Sequence, residues 1–375
     1  MKKVLLFISS LYPGGAETLV KDYALLLDKK KFSVTILCLV RLNSEYEKLL
    51  MNSGIKVIFL QDYLLGRSSS LFCRCCSEFL WRFHFDYLFA RWIVKKIKPD
   101  VIHAHLLVLR YLRRFDLKKI KKVFYTVHSE PDKYWHGKTK ESIDEFVAAK
   151  WLVKNKNMQL IALQKAMQAE LNAMFGVNNT IVVNNGIDFS RFFNADSAQV
   201  VRQKLNIPDN AFVVGHVGRF AEPKNHFFII DVFCKLLSKG KDAYLILVGD
   251  GPLRSSIAER IKDLQVDTRV RILGNRTDVP DLLNAMNVFL FPSVYEGLGM
   301  ALVEAQKMGV PCVISDRVPS AATISNLVSV LSLDSPKDLW AEALCEPAPS
   351  NIEYYNLERW DMNNIVKELE VLYSE

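Results

Sequence analysis

The sequence predicts an α/β protein built from two doubly wound, parallel-sheet domains. Three observations lead to this prediction. Short apolar, β-rich runs alternate with helix-forming stretches in both halves of the chain, glycine and polar residues follow these runs, and about half of the 375 residues are hydrophobic. Every apolar run is shorter than the roughly 18 residues that indicate a membrane-spanning helix. A chain of this length and composition is expected to bury two cores of ordinary size.

Six runs in the first half predict parallel strands, at residues 4–8, 34–39, 57–60, 101–103, 123–127 and 160–162. Gly14 and Gly15 follow the first run and Glu17 opens the next helix, so backbone N–H groups at that helix N-terminus could face a phosphate. The dinucleotide fingerprint Gly-x-Gly-x-x-Gly is absent, and Arg41 stands where an acidic residue would end the second strand. A nicotinamide enzyme is therefore not expected.

The second half repeats the alternation of strand and helix. Strands are predicted at residues 212–217, 244–248, 270–273, 287–291 and 312–314, with helices at 227–237, 253–264, 279–286 and 298–308. Glycine and polar residues follow every one of these strands. Because ligands bind outside the carboxyl ends of parallel strands, this pattern predicts one rim of a ligand crevice. A turn pair, Asn185 and Gly186, lies between the two repeats and marks the hinge.

Two permanent cations and a helix N-terminus are predicted to meet in the second half. Arg219 directly follows its strand, and Lys224 precedes a helix that Asn225 could cap. This combination suits a diphosphate. The alternative is that Arg219 only pairs with a surface acid and that Lys224 is only a solvated turn residue. The chain has no Asp-x-Asp pair to hold a divalent metal, so fixed positive charge is expected to stabilise a diphosphate leaving group, with no metal site.

Two glutamates with seven residues between them lie in the region of the 287–291 strand and the 298–308 helix. Glu296 lies in the loop at a strand's carboxyl end, and Glu304 lies about two turns into an otherwise apolar helix. A buried, unpaired carboxylate is costly, so Glu304 is expected to have a partner, and the vicinal hydroxyls of a ribose could both donate to it. The alternative is a solvated helix glutamate.

Seven short motifs together resemble a known family. They are GGAE (14–17), HAH (103–105), TVHS (126–129), NNGID (184–188), VGRF with a lysine (217–224), VGDGPLR (248–254) and E-x7-E (296–304). This ordered set resembles the retaining GT4 glycosyltransferases of the GT-B fold. The stretch after Asp316 lacks the glycine-rich turn and Pro-Glu pair frequent in the family, and is similar to the subgroup encoded with bacterial exopolysaccharide and capsule assembly.

The resemblance implies two Rossmann-like domains facing across a cleft, at residues 1–188 for the acceptor and 189–354 for a nucleotide-sugar donor, most simply a UDP-sugar. It also implies that the amphipathic tail, residues 355–375, is a helix that crosses back onto the first domain. The nucleotide-sugar is a co-substrate, and no other cofactor is expected.

Site roles follow residue by residue from the same resemblance. Arg219 and Lys224 would hold the diphosphate and Glu304 the ribose, while Glu296 with Gly297, Leu298 and Gly299 would bind the sugar hydroxyls. Gly15 would approach the diphosphate from across the cleft, His128 would lie by the sugar, and Asn275 would belong to the donor rim. The expected catalytic residues are His128, Glu296, Arg219 and Lys224.

Charge is distributed unevenly along the chain. Residues 1–190 carry a net charge of +13, whereas residues 191–375 carry −5. Residues 67–98 interleave basic and aromatic side chains, which is typical of a helix in a membrane interface, although a helix covering the first sheet is an equal alternative. A second basic run spans residues 110–122. Together they fit a lipid-linked saccharide acceptor, carried on a polyprenyl pyrophosphate at the inner leaflet, and no nucleic-acid signature accompanies them.

Location and alternative functions complete the expectations. No small-residue cleavage site follows the first apolar run, and seven cysteines without metal-ligand spacing suggest reduced thiols, so a cytoplasmic enzyme, peripheral on the inner membrane face, is expected. Two alternatives stay open. One is another enzyme on the same double fold, such as a sugar-nucleotide epimerase or a glycan phosphorylase. The other is a noncatalytic partner subunit of a glycosyltransferase.

Overall fold

The structure is a computed structural model that describes residues 1–65, 85–135, 139–192 and 195–375. The chain forms two compact units. Unit 1 comprises Met1–Gly186 together with Met362–Glu375, and unit 2 comprises Ile187–Asp361. Each unit contains one parallel sheet flanked by helices, so the predicted α/β class with two doubly wound domains is confirmed.

The sheet of unit 1 has seven parallel strands in the order β3-β2-β1-β4-β5-β6-β7. In chain order they are β1 (Lys2–Ile8), β2 (Phe32–Cys38), β3 (Lys56–Phe59), β4 (Val101–His105), β5 (Lys122–Thr126), β6 (Gln159–Ala162) and β7 (Ile181–Val182). All six predicted strands are present. The seventh was not predicted, because two residues are too few to show a pattern.

The helices of unit 1 connect these strands. They are α1 (Gly15–Leu26), α2 (Glu45–Asn52), α3 (Leu60–Leu65), α4 (Phe85–Ile97), α5 (Leu109–Leu112), α6 (Pro131–Trp135), α7 (Lys140–Lys156) and α8 (Lys165–Phe175), with a C-terminal helix at Met362–Ser374. The C-terminal helix is amphipathic as predicted, and it buries Met362, Ile365, Val366, Leu369 and Tyr373 in the same core as strand β1. Gly186 allows this packing, because a Cβ there would lie 2.7 Å from the Cα of Met362.

The sheet of unit 2 has six parallel strands in the order β10-β9-β8-β11-β12-β13. The strands are β8 (Phe212–Val217), β9 (Ala243–Val248), β10 (Val270–Ile272), β11 (Val288–Phe291), β12 (Cys312–Ser315) and β13 (Val328–Leu331). The helices are α9 (Ala198–Lys204), α10 (His226–Ser238), α11 (Arg254–Asp263), α12 (Val279–Asn284), α13 (Met300–Lys307) and α14 (Lys337–Ala343). Strand β13 was not predicted, because its burial is mixed and its pattern weak.

Short 3-10 turns lie between these elements, at Phe189–Phe192, Glu222–Lys224, Asp267–Arg269, Ser320–Ala322 and Leu357–Trp360. The core of unit 2 packs apolar side chains of β8, β9 and β11 against α10, α11 and α14, with Trp340 fully buried among them. Across the described ranges, no helix is both long and apolar enough to span a bilayer.

Candidate donor site and histidine pair

The carboxyl ends of β8 and β9 approach each other closely through glycines. The backbone N–H of Gly218 donates to the carbonyl of Val248 at 2.9 Å. Gly249 has a φ of +135°, and a Cβ at this position would lie 2.1 Å from the carbonyl oxygen of Gly218. Any larger residue at Gly249 would therefore push the two strand ends apart, so the glycine of the VGDG motif shapes this rim.

Lys224 and Glu296 form an ion pair that joins the ends of two strands. Lys224 lies in the turn after β8, Glu296 follows β11, and Nζ of the lysine is 2.5 Å from Oε1 of the glutamate. The pair is mostly enclosed, with 20% of the lysine side chain and 9% of the glutamate side chain exposed. The lysine ammonium also lies 5.1 Å from the ring centroid of Phe291. Because both charges are largely desolvated, removing either would leave the other poorly compensated.

Arg219 is exposed and lies in the same segment between β8 and α10 as Lys224. Within the ranges that the structure describes, it has no carboxylate in salt-bridge range, so the alternative of a surface ion pair is not realised there. The predicted cap by Asn225 is wrong. Asn225 adopts a left-handed φ of +56°, its side chain does not cap α10, and its Nδ2 donates instead to the carbonyl of Pro292 at 3.3 Å. The rim consequently combines one enclosed cation, Lys224, with one exposed cation, Arg219.

The loop between β11 and α13 differs in two ways from the prediction. Leu298 was expected within the helix, but α13 begins at Met300 and Leu298 lies buried in the loop before it. Gly299 ends the loop with a φ of +83°, a conformation that a side-chain-bearing residue rarely adopts. Glu304 is therefore one turn into α13 instead of two, and it is half-buried. Gly297 and Asn275 lie in the loops after β11 and β10, and Asn275 is exposed.

Three buried polar residues near the rim were not singled out from the sequence. His216 in β8 and His226 at the start of α10 are fully buried and lie edge to face, with ring centroids 4.9 Å apart. Among the described residues, Nε2 of His216, both ring nitrogens of His226 and Oγ of Ser293 have no hydrogen-bond partner. Burial lowers the pKa of His226 to about 4, and the nearby Lys224 adds to the shift. Both histidines are therefore neutral at physiological pH.

His128 of unit 1 is held by a second histidine. It follows β5, is half-buried, and its Nε2 lies 3.0 Å from Nδ1 of His105, the last residue of β4. His103, two residues earlier on the same face of β4, contacts Thr126 through Nε2 at 2.7 Å and Tyr373 of the C-terminal helix through Nδ1 at 2.5 Å. Burial lowers the pKa of all three imidazoles, that of His103 to about 3, so the cluster is neutral.

The hydrogen-bond network indicates which nitrogen of His128 carries the proton. Nε2 of His105 is buried and has no partner within the described ranges. If Nδ1 of His105 carries the proton and donates to Nε2 of His128, a buried N–H without an acceptor is avoided. His128 then carries its own proton on Nδ1 and can donate a hydrogen bond from that atom. The HAH motif, with histidines two residues apart on one strand face, was the sequence signal for this cluster.

Gly15 begins α1, where a Cβ would meet no atom within 4 Å. Its predicted approach to a diphosphate stays a prediction. Over residues 1–65, 85–135, 139–192 and 195–375, no group of three or more His, Cys, Asp or Glu side chains is placed to hold a metal ion. The cysteines described, Cys38, Cys234, Cys312 and Cys345, are free, and the Cys73, Cys75 and Cys76 cluster lies outside the described residues.

Comparison of the sequence with known protein families identifies the family of this chain. Residues 13–191 match the model of Glycosyltransferase Family 4, and residues 197–344 match the model of Glycosyl transferases group 1. The chain belongs to the group 1, family 4 glycosyltransferases. The two matches cover both units, and the resemblance found in the motifs is thereby confirmed.

Curated relatives of this glycosyltransferase themselves carry glycosyltransferase names. EpsF of Bacillus subtilis (strain 168), which carries a glycosyltransferase name, is 28% identical over 92% of this chain and 88% of its own. The Escherichia coli UDP-Gal:alpha-D-GlcNAc-diphosphoundecaprenol alpha-1,3-galactosyltransferase is 29% identical over 60% of this chain and 59% of its own.

Solved structures show the same fold. HepE of Anabaena, solved with UDP and glucose, has a TM-score of 0.74 and 19% identity, with both chains covered completely. WaaG, a glycosyltransferase involved in lipopolysaccharide biosynthesis, has a TM-score of 0.68 and 16% identity, over 99% of this chain and 96% of its own. At these identities the likeness establishes the GT-B fold of this glycosyltransferase and no more.

Proposed function

We propose that this glycosyltransferase moves a sugar from a nucleotide-sugar, most simply a UDP-sugar, to a lipid-linked saccharide in surface polysaccharide biosynthesis, with retention of anomeric configuration and without a metal ion. The observation that carries the proposal is the rim of unit 2, where Lys224 pairs with Glu296 and the exposed Arg219 lies in the same segment between β8 and α10 as Lys224. Two cations and a carboxylate at strand ends are the groups that a diphosphate joined to a sugar requires.

The donor half of the reaction uses charge that is already in place. As the bond between the sugar C1 and the diphosphate breaks, negative charge accumulates on the diphosphate oxygens, and Lys224 and Arg219 stabilise it. An ammonium has three N–H donors, so Lys224 can keep its hydrogen bond to Glu296 while it also donates to a phosphate oxygen. Glu296 would accept from a sugar hydroxyl with its other carboxylate oxygen, and Glu304 would accept from the ribose.

The family resemblance also implies roles for two residues of unit 1. His128 would donate from Nδ1 to a sugar hydroxyl, because its Nε2 is occupied by His105. Gly15, without a side chain, would let backbone N–H groups of α1 approach the diphosphate.

The acceptor class is supported by relatives. The Escherichia coli relative is named for UDP-Gal and an acceptor on diphosphoundecaprenol, and HepE was solved with UDP-glucose. A Mycobacterium tuberculosis relative, 25% identical over 65% of this chain, is named as GDP-mannose-dependent, so the base of the donor is a point to measure. A cytoplasmic location at the inner membrane face follows from such an acceptor.

Two experiments test the proposal. Calorimetric titration with UDP-, GDP- and ADP-sugars identifies the donor, and the anomeric configuration of the product on a polyprenyl-diphosphate saccharide is then read by NMR. We expect a UDP-sugar to bind and the configuration to be retained. If no nucleotide-sugar binds, the proposed function is wrong.

Chelation tests the metal-independent part. Because fixed cations face the proposed diphosphate site, we expect turnover to survive excess EDTA. Loss of activity on chelation that magnesium or manganese restores would contradict metal independence.

A further inference from the structure

Unit 1 contains a basic cavity that the donor chemistry does not use. Its volume is about 360 Å³, and its lining includes Arg110, Arg113 and Arg114 together with Tyr87 of α4 and Asp144 of α7. This volume lies within the range of about 300–1,000 Å³ typical of small-ligand sites. The three arginines belong to one segment that follows directly on β4, the strand that ends at His105.

A buried carboxylate holds this arginine segment in place. Glu145 of α7 is fully buried, and its two oxygens accept hydrogen bonds from the backbone N–H groups of Leu109 at 2.7 Å and Arg110 at 3.3 Å. Burial raises the pKa of Glu145 to about 7, although the two backbone donors oppose the shift. The clamp fixes the start of α5 against α7, so the arginines that follow start from a fixed backbone.

Aromatic rings lie against the guanidinium groups. Cζ of Arg114 is 3.8 Å from the ring centroid of Tyr87, and Cζ of Arg113 is 5.6 Å from that of Trp151. At 3.8 Å the Tyr87 ring occupies one face of the Arg114 guanidinium and leaves the N–H groups at its edge available for hydrogen bonds, whereas the longer distance to Trp151 is a looser cation–π contact. Neither Arg113 nor Arg114 has a carboxylate in salt-bridge range among the described residues.

Arg110 adds an unsatisfied donor to this cavity. Its Nε is buried and makes no hydrogen bond within the described ranges, because the nearest oxygen of Glu145 is 3.9 Å away. Among the residues that line the cavity, three guanidinium groups thus face one carboxylate, Asp144, so the lining carries a net positive charge. Two further carboxylates are buried nearby: Glu145 holds the backbone of Arg110, and Asp86 accepts from the hydroxyl of Tyr111. A ligand with several acceptor oxygens would satisfy the unpaired N–H groups.

We propose that this cavity binds a phosphate or diphosphate ester, whose oxygens match the paired N–H donors of guanidinium groups. Asp144 can accept a hydrogen bond from a hydroxyl, which favours an ester that also carries a hydroxyl-bearing group. The identification of the ester as part of the lipid-linked acceptor rests on the proposed function, whereas the anion site itself does not.

The test compares two ways of removing two positive charges from unit 1 in the full chain. One variant is Arg113→Gln with Arg114→Gln, and its control is Lys29→Gln with Lys30→Gln, which are exposed residues outside the cavity. Binding of inorganic pyrophosphate is followed by calorimetry in both, and in a Lys224→Ala variant that impairs the donor rim. Circular dichroism and a thermal unfolding transition like those of wild type show that the arginine variant is folded.

We expect pyrophosphate binding at the cavity to weaken about tenfold or more per arginine in the arginine variant. The lysine control and the Lys224→Ala variant should bind pyrophosphate at the cavity as wild type does. Arg113→Lys with Arg114→Lys should be intermediate, because it keeps charge but loses the paired donors. Equal pyrophosphate binding by wild type and the arginine variant would overturn the proposal. If the proposed donor site is wrong, the Lys224→Ala variant should bind pyrophosphate with the same stoichiometry and affinity as wild type.

A second arm distinguishes the source of the phosphate. Wild type and the arginine variant are sedimented with vesicles of a neutral lipid to which an anionic one is added. The added lipid is either a polyprenyl diphosphate or phosphatidylglycerol, and the two vesicles carry the same total charge. If the arginine variant loses binding mainly to the polyprenyl diphosphate vesicles, the ligand is an acceptor ester. If it loses binding to both kinds of vesicle equally, the ligand is a phospholipid headgroup. If the variant binds both kinds of vesicle as well as wild type does, or binds pyrophosphate as well, the cavity is not a phosphate site.

Discussion

Nζ of Lys224 lies 2.5 Å from Oε1 of Glu296, although 71 residues separate the two in the chain and each follows a different strand. The pair places a cation of the proposed diphosphate site in contact with the carboxylate of the proposed sugar site. A change at either residue is therefore expected to affect both halves of the donor, and double-mutant measurements are needed to separate them.

Removing the cations of the rim should weaken donor binding and turnover. We expect Lys224→Ala and Arg219→Ala each to weaken nucleoside diphosphate binding and to lower turnover about a hundredfold or more, the effect of losing one preorganised charge contact. Lys241→Ala, at the amino end of the sheet before β9, is the matched control. Near-normal kinetics in both rim variants would show that the assignment is wrong.

The two glutamates should give different kinetic signatures. Glu304→Gln should weaken nucleotide binding, since ribose contacts are shared by the ground and transition states, while Glu296→Gln should mainly lower turnover. Because Lys224 loses its carboxylate partner in Glu296→Gln, nucleoside diphosphate binding to this variant should be equal to or tighter than in wild type. Calorimetry and steady-state kinetics check both statements, and a Glu296→Gln enzyme that transfers sugar normally would contradict them.

Acid should destabilise the protein through its buried histidines. The folded-state pKa of His226 is about 4 and the unfolded value about 6.5, so between these values the unfolded chain binds more protons. The stability contribution of the neutral ring is thus complete above pH 6.5 and is lost as the pH falls. Between pH 7 and pH 5 we expect His226 to cost unit 2 about 2 kcal/mol of unfolding free energy.

His226→Phe isolates this effect. Both ring nitrogens of His226 lack partners within the described ranges, so the substitution should be close to neutral at pH 7 and should reduce the loss at pH 5. Urea-dependent hydrogen exchange of the β8 and β11 amides reports on unit 2 without assuming that the whole chain unfolds in one step. An identical pH dependence in wild type and variant would rule out this role of His226.

Membrane attachment is expected to depend on charge. In α4 one face is buried through Ala90, Ile93 and Val94, whereas Arg91, Lys95 and Lys96 are exposed with Trp92. One face of this helix is thus buried in unit 1, as a helix covering the sheet requires, and the alternative of a helix in a membrane interface stays a prediction. Residues 66–84 of the same segment, including Arg82, lie outside the described residues.

We predict that the protein binds anionic vesicles, that high salt largely reverses the binding, and that changing Arg82, Arg91, Lys95 and Lys96 together to Gln weakens it. Each basic residue near an anionic surface contributes about 1 kcal/mol, over a Debye length of about 8 Å at physiological salt. Co-sedimentation measures the effect. Equal binding to anionic and neutral vesicles at low salt would exclude it.

The sequence by itself determined the two parallel sheets and the rim of polar residues at the ends of their strands. Buried strands of a parallel sheet are continuous apolar runs, and the residues after them are polar because those loops reach the surface, so both signals are local. The motifs added the family for the same reason, since each is a few consecutive residues. The expected helix at Leu298 and the cap by Asn225 failed because Gly299 and Asn225 adopt left-handed φ values, which composition alone does not reveal.

Only the tertiary structure decided which residues touch. Glu296 was expected to contact a ligand, but its enclosed position also gives it Lys224 as a partner, and His128 acquired a defined tautomer through His105. The arginine cavity likewise depends on Glu145 of α7 holding a segment that lies 35 residues earlier in the chain. Contacts of this kind arise from the order in which strands assemble in a sheet and from the angle at which helices pack on it. Those quantities are set by the summed packing of a whole domain, so no short stretch of sequence contains them.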